Sequence, residues 1–315
     1  MLSAEVTEIR SFRNRDLPEL ADVWIRHWSE SGPSPPVSTA TIEQAILSRT
    51  SFQRDSLLVA LHDDSVVAWC HFQPDASDAE TAVICAICFT AENGLSVCDQ
   101  LLGDAETRIA DAGFRRIVVG PVRDRTLGYA GLSPIGHGIG VPAADARTSS
   151  LLSRCGYGTS GTVSRLVVGT SPYRPPVSRE ALQLRRTTRI EQAVLVPAEF
   201  DQASAMSHLD IERQTLVDHR SAAPLASIDL WLSDPEAQVM SCADSILDLG
   251  DIHDRGELTV AESFLIASTI QSLANRRVFS VETAVDQTLS NLIAKLESLN
   301  FKVAEHGQRW SKSLA

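Results

Sequence analysis

The chain has no apolar run of about 18 residues, the length that a helix needs to cross a bilayer, and this excludes a transmembrane helix. Its first fifteen residues hold no apolar signal core and carry mixed charge, which sets the expectation that it is not secreted. Positive charge is short: 28 Lys and Arg stand against 40 Asp and Glu, a formal net charge of −12. Nucleic acid selects basic patches, so it is excluded as a partner class. Six cysteines in 315 residues are ordinary for a reduced, intracellular protein. The expectation is therefore a cytoplasmic protein with neither nucleic acid nor membrane as a partner. G-x-S-x-G, P-loop and G-x-G-x-x-G signatures are also missing.

The one C-x-x-C pair, Cys85-Ala86-Ile87-Cys88, sits inside a continuous apolar run from Thr81 to Phe89 that reads as a buried strand. Residues three apart on a strand point to opposite faces and lie roughly 10 Å apart, beyond disulfide reach. No second pair follows to complete a zinc site, so these are expected to be core cysteines and no metal is expected.

What the chain does have is length, ordinary globular composition and an internal echo. At 43% hydrophobic and 22% charged residues, 315 residues suit two domains, each of about 150 residues. The expected division is 1–170 and 177–315, joined by Thr170-Ser171-Pro172-Tyr173-Arg174-Pro175-Pro176, where proline spacing breaks periodicity. A helix, then Gly113-Phe114-Arg115-Arg116-Ile117-Val118-Val119-Gly120, then a helix ending Cys155-Gly156-Tyr157, makes the first copy of a unit. The second copy is a helix, Asn275-Arg276-Arg277-Val278-Phe279-Ser280-Val281, and a helix ending Leu299-Asn300-Phe301.

In the first half, periodicity predicts a strand over 5–12 and a helix over 16–28 carrying Leu17, Leu20, Val23 and Trp24. A short helix to about Arg49 follows, then a hairpin over 56–72 turned at His62-Asp63-Asp64-Ser65, the cysteine strand and a helix over 95–112. Trp24, Trp28 and Trp69 read as core aromatics. Residues 121–142 form a long glycine-rich stretch whose Tyr129, Leu132, Ile135 and Ile139 favour a packed loop. In the second half a strand is expected over 182–186, a helix over 203–220, and a hairpin of 238–242 with 246–250. A helix over 259–274 and another over 288–299 complete the list. No counterpart of the first-half hairpin is evident, and the second domain looks trimmed.

This element order resembles the GNAT acetyltransferase superfamily, and its duplication resembles the tandem-domain members, mycothiol synthase among them. The resemblance implies an α/β fold of two tandem GNAT-like domains, each a mixed central sheet flanked by helices. It further implies acetyl-coenzyme A as cosubstrate and the amine of a small molecule as acceptor, by direct attack in a ternary complex, and it admits a homodimer. The cofactor's pyrophosphate would sit on the unpaired N–H groups at the start of the third helix. That loop falls on Asn93, Gly94, Leu95, Ser96, Val97 and Cys98, with Ser96 and Cys98 where the family has glycines. The second-half equivalent is Gly256-Glu257-Leu258-Thr259-Val260-Ala261. The family's acidic tyrosine, five residues before the terminal aromatic, is Leu152 in one copy and Leu296 in the other. His137 and Tyr129 in the glycine-rich loop are candidates for the acid–base work, and Glu80 and Glu92 flank the cysteine strand where they could hold the amine. The alternative is a non-catalytic acyl-coenzyme A or metabolite binder, or a scaffold, with degenerate sites.

Overall fold

The computed structural model describes residues 8–33, 35–90, 94–234, 239–240 and 242–314, with Gly94, Leu95 and Ser96 as backbone alone. Strand β1 (Glu8–Ser11) leads into α1 (Leu17–Ser29), which starts at Asp16 with a proline in its first turn. The Asp16 carboxylate accepts the Arg13 N–H at 2.7 Å and pairs with Arg10, so the turn that enters the helix is fixed by a buried charge pair and this hydrogen bond. The buried face of α1 is Leu20, Val23, Trp24, His27 and Trp28. Next come α2 (Thr39–Ile42) and the hairpin β2 (Leu57–His62) with β3 (Ser65–Pro74), turned by Asp63 and Asp64 in the left-handed region. The half is completed by β4 (Thr81–Phe89), α3 (Gly94–Asp111), β5 (Arg116–Val119), β6 (Val141–Pro142), α4 (Ala146–Arg154) and β7 (Gly158–Gly169). This is the order expected from the sequence. Cys85 and Cys88 lie buried in β4.

The second half differs from its sequence reading in three places. Residues 182–186 belong to a helix, α5 (Arg179–Thr187), whose N-cap Ser178 accepts the Ala181 N–H at 3.0 Å. The strand follows it as β8 (Thr188–Val194). The expected helix over 203–220 is instead α6 (Phe200–Ala205) and then β9 (Leu209–Asp218). Along β9, the buried Leu209 and Leu216, seven residues apart, also satisfy helical spacing. Pairing to β10 (Pro224–Ser233) along almost its whole length decides for strand, because each backbone group then finds a cross-strand partner. The pair β9–β10 is the missing counterpart of the first-half hairpin. The expected hairpin of 238–242 with 246–250 does not form: β11 (Ser245–Asp248) pairs with β10, while Gln238 and Ser241 lie outside the described residues. The remaining elements are α7 (Asp251–Arg255), α8 (Val260–Leu273), β12 (Ser280–Asp286), α9 (Ser290–Ser298) and β13 (Lys302–Ser313). What is trimmed is the helical layer between β8 and β9, where only α6 stands for α1 and α2.

All strands join one mixed sheet, in the order β1-β2-β3-β4-β5-β13-β7-β12-β11-β10-β9-β8, with β6 against β13. Each half contributes its last strand to the other. The second-half β13 pairs with β5 from Trp310↔Val119 to Ser313↔Arg116, and the first-half β7 pairs with β12 along its length. The two exchanged strands also pair with each other, from Lys302↔Val167 to Ser311↔Gly158. The sheet centre is therefore built equally from both halves. No helix among the described residues is long and apolar enough to cross a membrane.

The glycine-rich loop packs, as its apolar residues suggest: Tyr129, Leu132, Ile135 and Ile139 are all buried. It lies against the second half. His208 Nε2 meets the Ala130 carbonyl at 2.8 Å, Arg125 pairs with Asp248 at 2.6 Å, and Gly131 accepts the Cys242 N–H at 3.1 Å. Gly136 is required here by close approach. A Cβ would stand 2.4 Å from the Tyr129 carbonyl oxygen and 2.7 Å from the Gly131 nitrogen, both backbone atoms.

Candidate active site

Strands β4 and β5 run parallel and pair from Thr81↔Arg116 to Ile84↔Val119, ending with the Gly120 N–H on the Ile84 carbonyl at 3.1 Å. On its other side β4 pairs with β3, where His71↔Ala86 is followed by Phe72↔Ile84. Cys85 is the extra residue of a β-bulge, which bends the strand that carries it. So β4 turns away from β5 at the point where their ladder stops. Helix α3 begins at Gly94, just beyond the end of β4, and has no acidic residue in its first turn. Its leading N–H groups lack helical partners and form the positive end of the dipole.

The opening is well filled. A cavity of about 20 Å³, bordered by Trp28, Cys85, Ile135 and Thr148 among others, lies there, and this is room for one water. At its side lies a buried pair. His27 Nε2 donates to Asp145 Oδ2 at 3.1 Å, and both side chains are fully buried. His27 Nδ1 is 3.2 Å from the Phe89 carbonyl and 3.3 Å from its nitrogen. Asp145 also caps α4, with Oδ1 accepting the Thr148 N–H at 3.0 Å. Burial pushes its carboxyl pKa up, but the His27 bond and charge and the Thr148 N–H together hold it below the usual range. Arg147 stacks over the Phe89 ring at 4.9 Å and pairs with Glu30 at 2.7 Å.

The site residues named from sequence fall in different places. Glu92 and Asn93 lie outside the described residues. Gly94, Leu95 and Ser96 open α3, while Val97 and Cys98 are buried among Leu101 and Leu102. Burial pushes the Cys98 thiol up to about 12, so Cys98 offers an anion its backbone rather than its sulfur. Tyr129 is fully buried, stacked on Trp24, with its hydroxyl on His71 Nδ1 at 2.7 Å. Burial lowers His71 to about 3, so that imidazole stays neutral. His137 faces the seam between the halves, its Nδ1 2.9 Å from Glu282 Oε1. Glu80 is exposed, 3.8 Å from Arg115, and it precedes β4 at the end away from the opening. The fold does not bring His137, Tyr129 and Glu80 together. Leu152 and Leu296 are fully buried core residues, so neither position presents a hydroxyl.

The second-half opening differs. β11 and β12 pair only at Ser245↔Val281 and Ile246↔Glu282, and the β10–β11 ladder runs through without a bulge. Beside it sit Arg123, Gly136, His137 and Gly138 of the first-half loop. The start of α8, which holds the expected loop Gly256 to Ala261, is self-capped. Thr259 Oγ1 accepts the Glu262 N–H at 3.2 Å, and Glu262 Oε2 accepts the Thr259 N–H at 2.8 Å. Arg255 pairs with the same carboxylate at 2.5 Å. Burial alone would raise the Glu262 pKa, but the Thr259 N–H, Arg255 and the Thr259 hydroxyl outweigh it and lower it. An anion site is thus already occupied by the chain's own carboxylate.

Sequence reasoning missed His27, Asp145 and Glu282. His27 left a faint mark, as a polar residue on the apolar stripe of α1. Asp145 reads as an ordinary helix cap, and Glu282 sits in a strand with nothing to single it out.

No family model matches the chain, and no curated protein matches it. Solved structures do. A tandem GNAT protein from the clavulanic acid biosynthesis pathway is 11% identical with a TM-score of 0.66, over 97% of this chain and 98% of that one. A GCN5-related N-acetyltransferase from Sphaerobacter thermophilus is 12% identical with a TM-score of 0.62, over 97% and 95%. The GCN5-related glucosamine N-acetyltransferase region of a fungal multi-domain β-N-acetylglucosaminidase reaches a TM-score of 0.69 at 14% identity, over 98% of this chain and 38% of that one. With the paired openings and exchanged strands described above, these likenesses establish that the chain has the fold of the GNAT acetyltransferases, doubled along its length.

Proposed function

We propose that the chain is an acyl-coenzyme A-dependent N-acetyltransferase with one coenzyme site, in its first half, that passes an acetyl group to the amine of a small molecule. The bulge at Cys85 carries this reading, because it lies where the β4–β5 ladder ends, on the strand that leads to the start of α3, whose first turn holds no acidic residue. A thioester lying in that gap would place its carbonyl against β4 backbone N–H groups, and its pyrophosphate on the first turn of α3. The second half has no such bulge and its α8 start is taken by Glu262, so its role is to supply β13 and close the sheet. The filled opening means that Trp28 or the neighbouring loop moves outward as the pantetheine arm enters.

The chemistry asks little of acid–base side chains. An acceptor whose amine titrates near the α-amino value of about 7.7–8.0 would have a fraction free to attack near neutral pH without a base. As the C–N bond forms and the C–S bond breaks, coenzyme A leaves as a thiolate, and the proton lost by the nitrogen can pass through water to that sulfur where Leu152 offers no hydroxyl. Tyr129, held by His71, and the exposed Glu80 have no part in this path. The buried Leu152 and Leu296 also favour a second reading, a binder of acyl-coenzyme A that does not turn over.

Release of free thiol from acetyl-coenzyme A, measured with a panel of small amines, separates the two. Amine-dependent release supports the transferase. Tight binding with no release from any amine leaves the binder, and full turnover by a His137→Ala variant excludes that imidazole from acid–base work.

A further inference from the structure

His137, Cys242 and Glu282 come from three distant stretches of chain: the glycine-rich loop, the segment before β11, and β12. A ring nitrogen of the first, the sulfur of the second and a carboxylate oxygen of the third all lie within 4.8 Å of one another. We propose that these residues form a zinc site at the seam between the halves, with three protein ligands and a fourth position for water.

The donor set selects the metal. Imidazole with a thiolate suits zinc, whereas magnesium and calcium take oxygen ligands. Tetrahedral zinc holds such ligands at about 2.0–2.3 Å and so roughly 3.3–3.7 Å from each other. The His137 Nδ1–Glu282 Oε1 separation of 2.9 Å would have to widen, by less than about 1 Å to reach that range. Each ligand is also held from behind, as metal ligands need to be. His137 Nε2 is 3.3 Å from Ser133 Oγ, which fixes the ring with Nδ1 toward the other two. The far oxygen of Glu282 takes Arg165 at 3.3 Å, leaving Oε1 for a metal. The Cys242 backbone is tied to Gly131 at 3.1 Å. A cavity of about 20 Å³ borders His137 and Glu282, which is room for one water beside these two ligands. Binding forms a Zn–S bond, breaks the Cys242 S–H bond and releases one proton to solvent.

The test is direct. The full chain, stripped with chelator, equilibrated with excess Zn²⁺ and dialysed, will keep one ion per chain by elemental analysis. Co²⁺ in its place will show a thiolate-to-cobalt charge-transfer band that Cys242→Ala removes and Cys155→Ala retains. Ser133→Ala, behind the imidazole, will weaken zinc binding by about 10–100-fold. Should Cys242→Ala fail to fold, the wild-type melting temperature, raised by Zn²⁺ and lowered again by chelator, carries the test alone. Folded wild-type chain that retains no zinc, a cobalt band that survives Cys242→Ala, or a melting temperature indifferent to Zn²⁺ overturns the site.

Discussion

Replacing Asp145 probes the buried pair beside the first-half opening, and its cost can be worked from the contacts. The carboxylate does two jobs with two oxygens: Oδ1 caps α4 through the Thr148 N–H at 3.0 Å, and Oδ2 accepts from His27 at 3.1 Å. Asp145→Ala removes the cap, about 1 kcal/mol, and strands the His27 N–H in a fully buried site, about 1–3 kcal/mol. A total near 3 kcal/mol is expected, toward the range of about 3–5 kcal/mol for breaking a buried pair. Asp145→Asn keeps one acceptor oxygen and must forgo either the cap or His27, so about 1–2 kcal/mol is expected. Urea unfolding of the three proteins at pH 7 measures both numbers. The pH dependence gives an independent check. The folded-state pKa of Asp145 is depressed, so its stabilisation is present above the unfolded-state value of about 3.9 and fades as pH falls through the lower folded value. The gap between wild type and Asp145→Asn should therefore narrow below about pH 4. An alanine variant within about 0.5 kcal/mol of wild type, the range of an uninvolved surface change, would refute the pair's contribution. A gap that stayed constant into acid would refute the electrostatic part of the reasoning.

Other parts of the account lend themselves to shorter tests. Gly136→Ala drives a methyl against the Tyr129 carbonyl, and a loss of about 2–3 kcal/mol in urea is expected; an unchanged midpoint would mean that the loop yields freely. A chain ending at Phe301 lacks β13 and leaves one edge each of β5 and β7, and the short β6, without their partner. It should lose cooperative thermal unfolding throughout, first half included. A sharp first-half transition in that truncated chain would show that the exchanged strand is not required.

The extent to which the sequence revealed this molecule follows from the range over which each interaction acts. Helices α3, α4, α8 and α9 and the strands between them announce themselves through local periodicity and the Gly156-Tyr157 and Asn300-Phe301 endings, so the doubled fold was legible. The β9–β10 hairpin was not, since Leu209 and Leu216 satisfy helical spacing too and only pairing with a partner strand decides between them. The exchange of β7 and β13 is invisible for a related reason. Nothing in residues 302–313 says which half's β5 equivalent they will join. At the candidate site, the α3 start could be placed by counting, whereas the Cys85 bulge that opens the cleft exists only in the register between β3 and β4. The seam cluster of His137, Cys242 and Glu282 draws one residue from each of three segments. No spacing rule reaches across such distances.

The central claim is a single coenzyme site at the start of α3, and titration calorimetry with acetyl-coenzyme A tests it most directly. Ser96→Glu would place in the first turn of α3 the carboxylate that Glu262 already supplies to α8. Wild type should bind one equivalent per chain, Ser96→Glu should bind none, and Glu262→Gln should bind as wild type does. No binding by wild type, or undiminished binding by Ser96→Glu, would contradict the account.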